Sequence, residues 1–174
     1  RAHALLAIER SAALGLDWFR RHAMLNLALS EVAVGRAEHA AELVEEVHDM
    51  LRRAGVKDPD EYGFEYLVDA LVRLGRRDDA AAALAEMHAL WAGDGGWEDN
   101  VSAVCAAALA ADDDRSPALF ELALSLDSGY APFEHAHIHL LYGERLRRAG
   151  ERRRAREQLR AALDVFEKLG ADWW

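Results

Sequence analysis

PFEHAHIHLLYGERLRRAGERRRAREQLRAALDVFEKLGADWW, residues Pro132 to Trp174, is the stretch whose reading decides the fold class. Ile138, Leu141, Tyr142 and Leu146 recur at three- and four-residue intervals, and beyond Ala149-Gly150 the spacing returns in Ala155, Leu159, Ala162, Leu163 and Phe166. This is the period of a helix with one apolar face. Gly150 stands where a helix C-terminus takes a left-handed residue, and Gly170 marks the next stop. A pair of amphipathic helices joined by a tight turn cannot bury its apolar faces alone, so it requires neighbours of its own kind.

The remaining sequence supplies them. The 174 residues are 52% hydrophobic with three prolines, and Ala, Leu, Arg and Glu, all strong helix formers, dominate. Helical pattern is predicted over Ala2 to Leu14, Asp17 to Val34, Arg36 to Ala54, Asp60 to Leu74 and Arg77 to Ala92, with glycine stops between them. Gly93-Asp94-Gly95-Gly96 is the most flexible point of the sequence, and Trp97 to Ala111 is the next predicted helix. Ser116-Pro117 reads as a cap followed by proline at the first helical position, and Pro132 plays the same part for the opening stretch. The prediction is all-α: about nine helices and a stub, in four to five antiparallel pairs forming one repeat domain over residues 1–174.

Four turns align. Gly35, Gly75 and Gly150 are followed five residues later by Ala40, Ala80 and Ala155, and Asp113 takes the glycine's place ahead of Ala118. The intervals between these turns are 40, 38 and 37 residues. A small residue just past a turn lets the second helix cross closely over the first. The pattern resembles the tetratricopeptide repeat, and the last pair matches best, with Gly143, Gly150, Ala155 and Ala162 on the small-residue positions. Ala28 and Ala106 hold the place of Gly143 in two other pairs, whereas Val68 departs from it and the period exceeds ~34 residues.

A net charge of −10 argues against a general nucleic-acid-binding surface. The longest uncharged run of the apolar helices, Val101 to Ala111, falls short of the roughly 20 residues of a membrane span. A single cysteine, Cys105, excludes an intrachain disulfide and fits a reducing, cytoplasmic compartment. The chain opens on Arg1 and ends on Trp173-Trp174, where another helix is expected to start, so it is expected to be part of a longer protein.

With the turns aligned, Pro132-Phe133-Glu134, Leu141-Tyr142-Gly143-Glu144-Arg145-Leu146-Arg147-Arg148, Ala155-Arg156, Leu159-Arg160-Ala161-Ala162-Leu163, Phe166, Leu169-Gly170-Ala171 and a tryptophan follow in a telling order between Pro132 and Trp174. This segment, about a quarter of the chain, resembles the end of the helical-repeat region of large actinobacterial LuxR-type regulators, the signal-transduction ATPases related to the maltose regulator MalT. The resemblance implies a parent with a nucleotide-binding module upstream and a DNA-binding helix-turn-helix downstream. It also implies a repeat region that senses an inducer or protein partner and restrains or releases the ATPase. ATP and Mg²⁺ would belong to the parent's other module and no cofactor to these residues. Neither lysine has the setting of a phosphate loop, since Gly55-Val56-Lys57 runs into Asp58 and Lys168 into Leu169. A free-standing scaffold binding peptides or protein segments is the alternative.

Candidate contacts follow from the repeat alignment, which places the first helix of each pair on a concave face. Outward-looking positions there are His22 and Asn26; Tyr62, Glu65, Tyr66, Asp69 and Arg73; Asn100; and His137, Glu144, Arg147 and Arg148. Tyr62, Tyr66 and Asp69 share a helical face at four- and three-residue spacing, and aromatic surface beside a carboxylate suits a protein or small-molecule contact. The plainer reading is tyrosines packed at a repeat junction. Leu25 and Leu29 stand where the polar clamp for peptide C-termini would be in some such repeats.

Arg145 to Arg160 holds eight arginines and two glutamates, the only basic patch of the sequence. It suits phosphate, nucleic acid or an acidic face of another module of the same polypeptide. A solvated hairpin with internal ion pairs is the plainer reading. His135, His137 and His139 alternate, but on a helix only His135 and His139 share a face, and two ligands do not close a zinc site. Cys105 lies in an apolar helix without a basic neighbour to lower its pKa. No carboxylate pair has a setting that separates acid from base, so no enzyme signature emerges. Cut solenoid ends predict end-to-end self-association.

Overall fold

Six glycines, at positions 15, 35, 55, 75, 150 and 170, have left-handed backbones and stop six helices in one way. At Gly150 (φ 82°) the glycine N–H donates to the Arg147 carbonyl and the next N–H, of Glu151, donates to the Leu146 carbonyl. Gly35 and Gly75 repeat both bonds, to Val32 and Glu31 and to Val72 and Leu71. This pair of bonds satisfies carbonyls that a helix end leaves unpaired, and it reverses the chain sharply.

The computed structural model describes residues 1–92, 96–126 and 132–171. Among them are nine α-helices and no strand: α1 (Ala2–Ala13), α2 (Asp17–Ala33), α3 (Ala37–Ala54), α4 (Phe64–Arg73), α5 (Arg77–Trp91), α6 (Val101–Ala110), α7 (Ser116–Ser125), α8 (Pro132–Arg148) and α9 (Arg152–Lys168). The all-α architecture is that of stacked antiparallel helix pairs, as in an α-solenoid. No described helix is long and apolar enough to cross a membrane.

The helices gather into two compact units, residues 1–95 and 96–174, divided at the glycine-rich loop. In the first, α1 to α5 pack each against the next, and α2 also touches α4. Met24, Leu27 and Ala28 of α2, Val44, Val47 and Leu51 of α3, and Leu71 of α4 are buried at its centre. Ala40 and Ala80, the small residues past the turns, are covered as well. In the second unit α6 packs on α7, α7 on α8 and α8 on α9. Phe120 stacks on Tyr142 with ring centres 5.1 Å apart, and Ala136, Ala162 and Phe166 form a core with Phe133, Leu140 and Val165 against it.

Gly143 sets how closely α8 and α9 approach. A Cβ there would lie 2.7 Å from Leu159 Cγ, 2.8 Å from its Cδ2 and 3.1 Å from its backbone nitrogen. Only a residue without a side chain allows that contact.

Four local expectations need correction. The helix expected from Asp60 starts at Phe64: Asp58 caps a 3-10 turn over Pro59–Glu61 by accepting from the Asp60 N–H, and Gly63 (φ 65°) precedes the helix proper. The helix expected from Trp97 starts at Val101, because the Asn100 side chain accepts from the Ala103 N–H and fixes its first turn. Ser116 does not cap α7. It is fully buried, and its hydroxyl donates to the Ala108 carbonyl at 2.8 Å. The small covered residue past that turn is therefore Ser116, while Ala118 is exposed.

Candidate functional site

Tyr62, expected on an open surface, is 2% exposed. Lying before Gly63 and outside α4, it does not share a helical face with Tyr66 and Asp69. Its ring stacks on Phe64 at 5.2 Å and meets His48 edge-on at 4.9 Å, and its hydroxyl donates to the Val56 carbonyl at 2.9 Å. The hydroxyl thus ends in protein rather than in water, and burial raises its pKa. His48 is buried with it, Nε2 lying 3.0 Å from the Tyr62 carbonyl oxygen, and burial pulls its pKa down to about 4. This aromatic layer ties the long connector after α3 to the core.

Asp69 is also interior, at 4% exposed, and accepts from Arg73 Nε at 2.8 Å. Glu65 and Tyr66 remain partly accessible on α4. The proposed aromatic-and-carboxylate surface loses two of its three members to the core. Asn26 is exposed, its Nδ2 donating to the His22 carbonyl one turn back. His22 is occupied as well, with Nδ1 3.0 Å from the Trp18 carbonyl oxygen and its ring 3.9 Å from the Trp18 ring. Asn100 serves as the α6 cap.

Glu31 is a feature no local pattern announces. It is 1% exposed near the end of α2, yet Arg1 Nε, Arg36 Nε and His39 Nδ1 converge on its carboxylate. Burial works to raise its pKa, but hydrogen bonds from His39, Arg36 and Arg1 and the Arg36 charge outweigh that and leave it lowered. The residue joins α1, α2 and α3.

In the second unit seven of the eight arginines of the patch fall into two sets. Arg145 donates to the Ala111 carbonyl at 2.6 Å and pairs with Asp113. Arg154 pairs with Glu151 and Glu121 and lies over the Tyr142 ring. The Tyr142 hydroxyl donates to Glu121 Oε1 at 3.0 Å, and burial together with that bond pushes its pKa up to about 12. Arg148 faces Glu144 at 3.9 Å. Through Arg145 and Arg154 the hairpin is fastened to α6 and α7.

The other set points outward. Arg147, Arg152, Arg156 and Arg160 stand around Ala155, Leu159 and Leu163 and border a shallow, open groove of about 490 Å³. None of the four has a carboxylate within 4 Å among the described residues. Leu163, expected in the buried stripe of its helix, is 53% exposed on the groove floor. The three-and-four spacing marked the residue as apolar but not whether a neighbour covers it. His139 is engaged elsewhere on the hairpin, Nδ1 2.6 Å from Gln158 Oε1. Cys105 is buried in α6.

No family model matches the sequence, and no curated protein matches it. Among solved structures the chain is similar to BtubC (BKLC) from P. vanneervenii, with TM-score 0.51 and 17% identity over 87% of this chain. It spans 65% of that chain's length. At that identity the likeness concerns the helical fold.

Proposed function

We propose that this chain is the sensor and protein-interaction repeat module of an ATP-dependent LuxR-type transcriptional regulator, a binding element rather than an enzyme. It takes up an inducer or protein partner in the cytoplasm and passes that event to the nucleotide-binding and DNA-binding modules of the same polypeptide. ATP and Mg²⁺ act in the former, and this chain touches no nucleic acid itself.

The α8–α9 hairpin carries the reading. Of the segment resembling the family, Pro132 to Trp174, the described residues fold into one pair closed through Gly143 and leave an arginine-rimmed strip of α9 open. A fold of helix pairs, with four arginines that have no carboxylate within 4 Å among the described residues, suits recognition more than chemistry.

The reading frame that encodes the chain provides the test. A G-x-x-x-x-G-K-[ST] loop upstream and a helix-turn-helix downstream are expected. A frame lacking both refutes the proposal, and one that stops shortly after Trp174 favours a free-standing scaffold.

A further inference from the structure

The groove on α9 has a composition that specifies its occupant. Arg152, Arg156 and Arg160 repeat at four-residue intervals, so their backbone positions follow one another in a row about 6 Å apart along the helix, on one side of it. Leu159 and Leu163 run beside that row, and Arg147, from the last turn of α8, faces it at one end. The chain as a whole carries a net charge of −10, yet this strip holds four cations without a carboxylate partner among the described residues. The arrangement combines an apolar floor with a positive rim.

We propose that this groove receives an amphipathic α-helix of a partner protein, one whose leucine-type stripe is flanked by Asp or Glu. A helix is the fitting shape, because acidic residues at three- and four-residue spacing meet Arg152, Arg156 and Arg160 in register while its apolar stripe covers Leu159 and Leu163. A polyanion such as nucleic acid satisfies the arginines but leaves the leucines wet, and it is repelled by the acidic remainder of the chain. The surface is read from α8 and α9 alone, so it does not rest on the regulator reading.

A fluorescein-labelled peptide about three heptads long, with leucine at a and d and glutamate at e and g, is the probe. Its own like charges disfavour self-pairing. A twin with lysine for glutamate and a single-stranded oligonucleotide are the comparisons, all followed by anisotropy. The glutamate peptide is expected to bind, more weakly as salt rises. Arg156→Glu with Arg160→Glu is expected to weaken it about tenfold or more, while Arg156→Lys with Arg160→Lys retains most of the affinity. Leu163→Ser is expected to weaken it as well. These side chains are exposed, and unchanged thermal melts establish that the variants fold. Equal binding of the lysine peptide, indifference to the charge reversal, or preference for the oligonucleotide overturns the proposal.

Discussion

Replacing Gly143 by alanine sets two opposed effects against each other. In an exposed helix alanine is better than glycine by about 1 kcal/mol. Here the new Cβ would stand 2.7 and 2.8 Å from Leu159 Cγ and Cδ2. The side chain can turn aside, but the Leu159 backbone nitrogen at 3.1 Å cannot give way without moving α9. Overfilling a packed contact costs about 1–3 kcal/mol, so the net effect is a loss of up to ~2 kcal/mol instead of a gain. Leu159→Ala separates the two effects. In that background Cγ and Cδ2 are gone while the backbone nitrogen at 3.1 Å remains, so Gly143→Ala is expected to cost less than with Leu159 present, the difference being a coupling of about 0.5–3 kcal/mol. Urea unfolding followed by circular dichroism measures the parent chain, both single variants and the double variant. If Gly143→Ala raises stability as much with Leu159 present as in the Leu159→Ala background, the close crossing of α8 and α9 is refuted.

Acidification tests the buried groups of the first unit. His48 has its pKa pulled from 6.5 to about 4, so the unfolded chain binds the extra proton first. Stability therefore falls as pH drops from about 6.5 to about 4, by about 3 kcal/mol, and His48→Gln flattens that window in pH-dependent urea titrations. Glu31 has a lowered pKa, so its contribution is complete above the ordinary carboxylate range and is lost as pH falls through the folded value. Glu31→Ala removes the carboxylate that Arg1 and Arg36 share, and because both arginines are half exposed and stay solvated, thermal melts are expected to register a loss of about 1 kcal/mol. Tyr62→Phe removes only the bond to the Val56 carbonyl, and a loss of about 1 kcal/mol in urea is expected.

Much of the fold could be read because it rests on local rules. The predicted helix ends before Gly15, Gly35, Gly55 and Gly75 lie within a residue or two of those in the structure, since each stop depends on one left-handed glycine. Gly63 misled for the same reason: a left-handed glycine before a helix looks like an ordinary member of an apolar stretch, and Asp60 looked the better cap. Of the expected surface, Tyr62 left the helix with that start and is buried, Asp69 is buried on α4, and Tyr66 stays partly accessible. Glu31 was not legible, because part of its stabilising charge comes from Arg1, thirty residues away. Arg147 remains in the candidate surface, whereas Arg152, Arg156, Arg160 and Leu163 join it only once the hairpin shows which arginines are tied down.

The proposed control role is tested most directly by nucleotide hydrolysis in the regulator polypeptide that the proposal expects, with and without the segment 1–174. The expected result is that removing the segment changes the basal rate, because the restraint or the release it supplies is gone. Equal rates for the two polypeptides would contradict the role, as would a full-length polypeptide that hydrolyses no nucleotide.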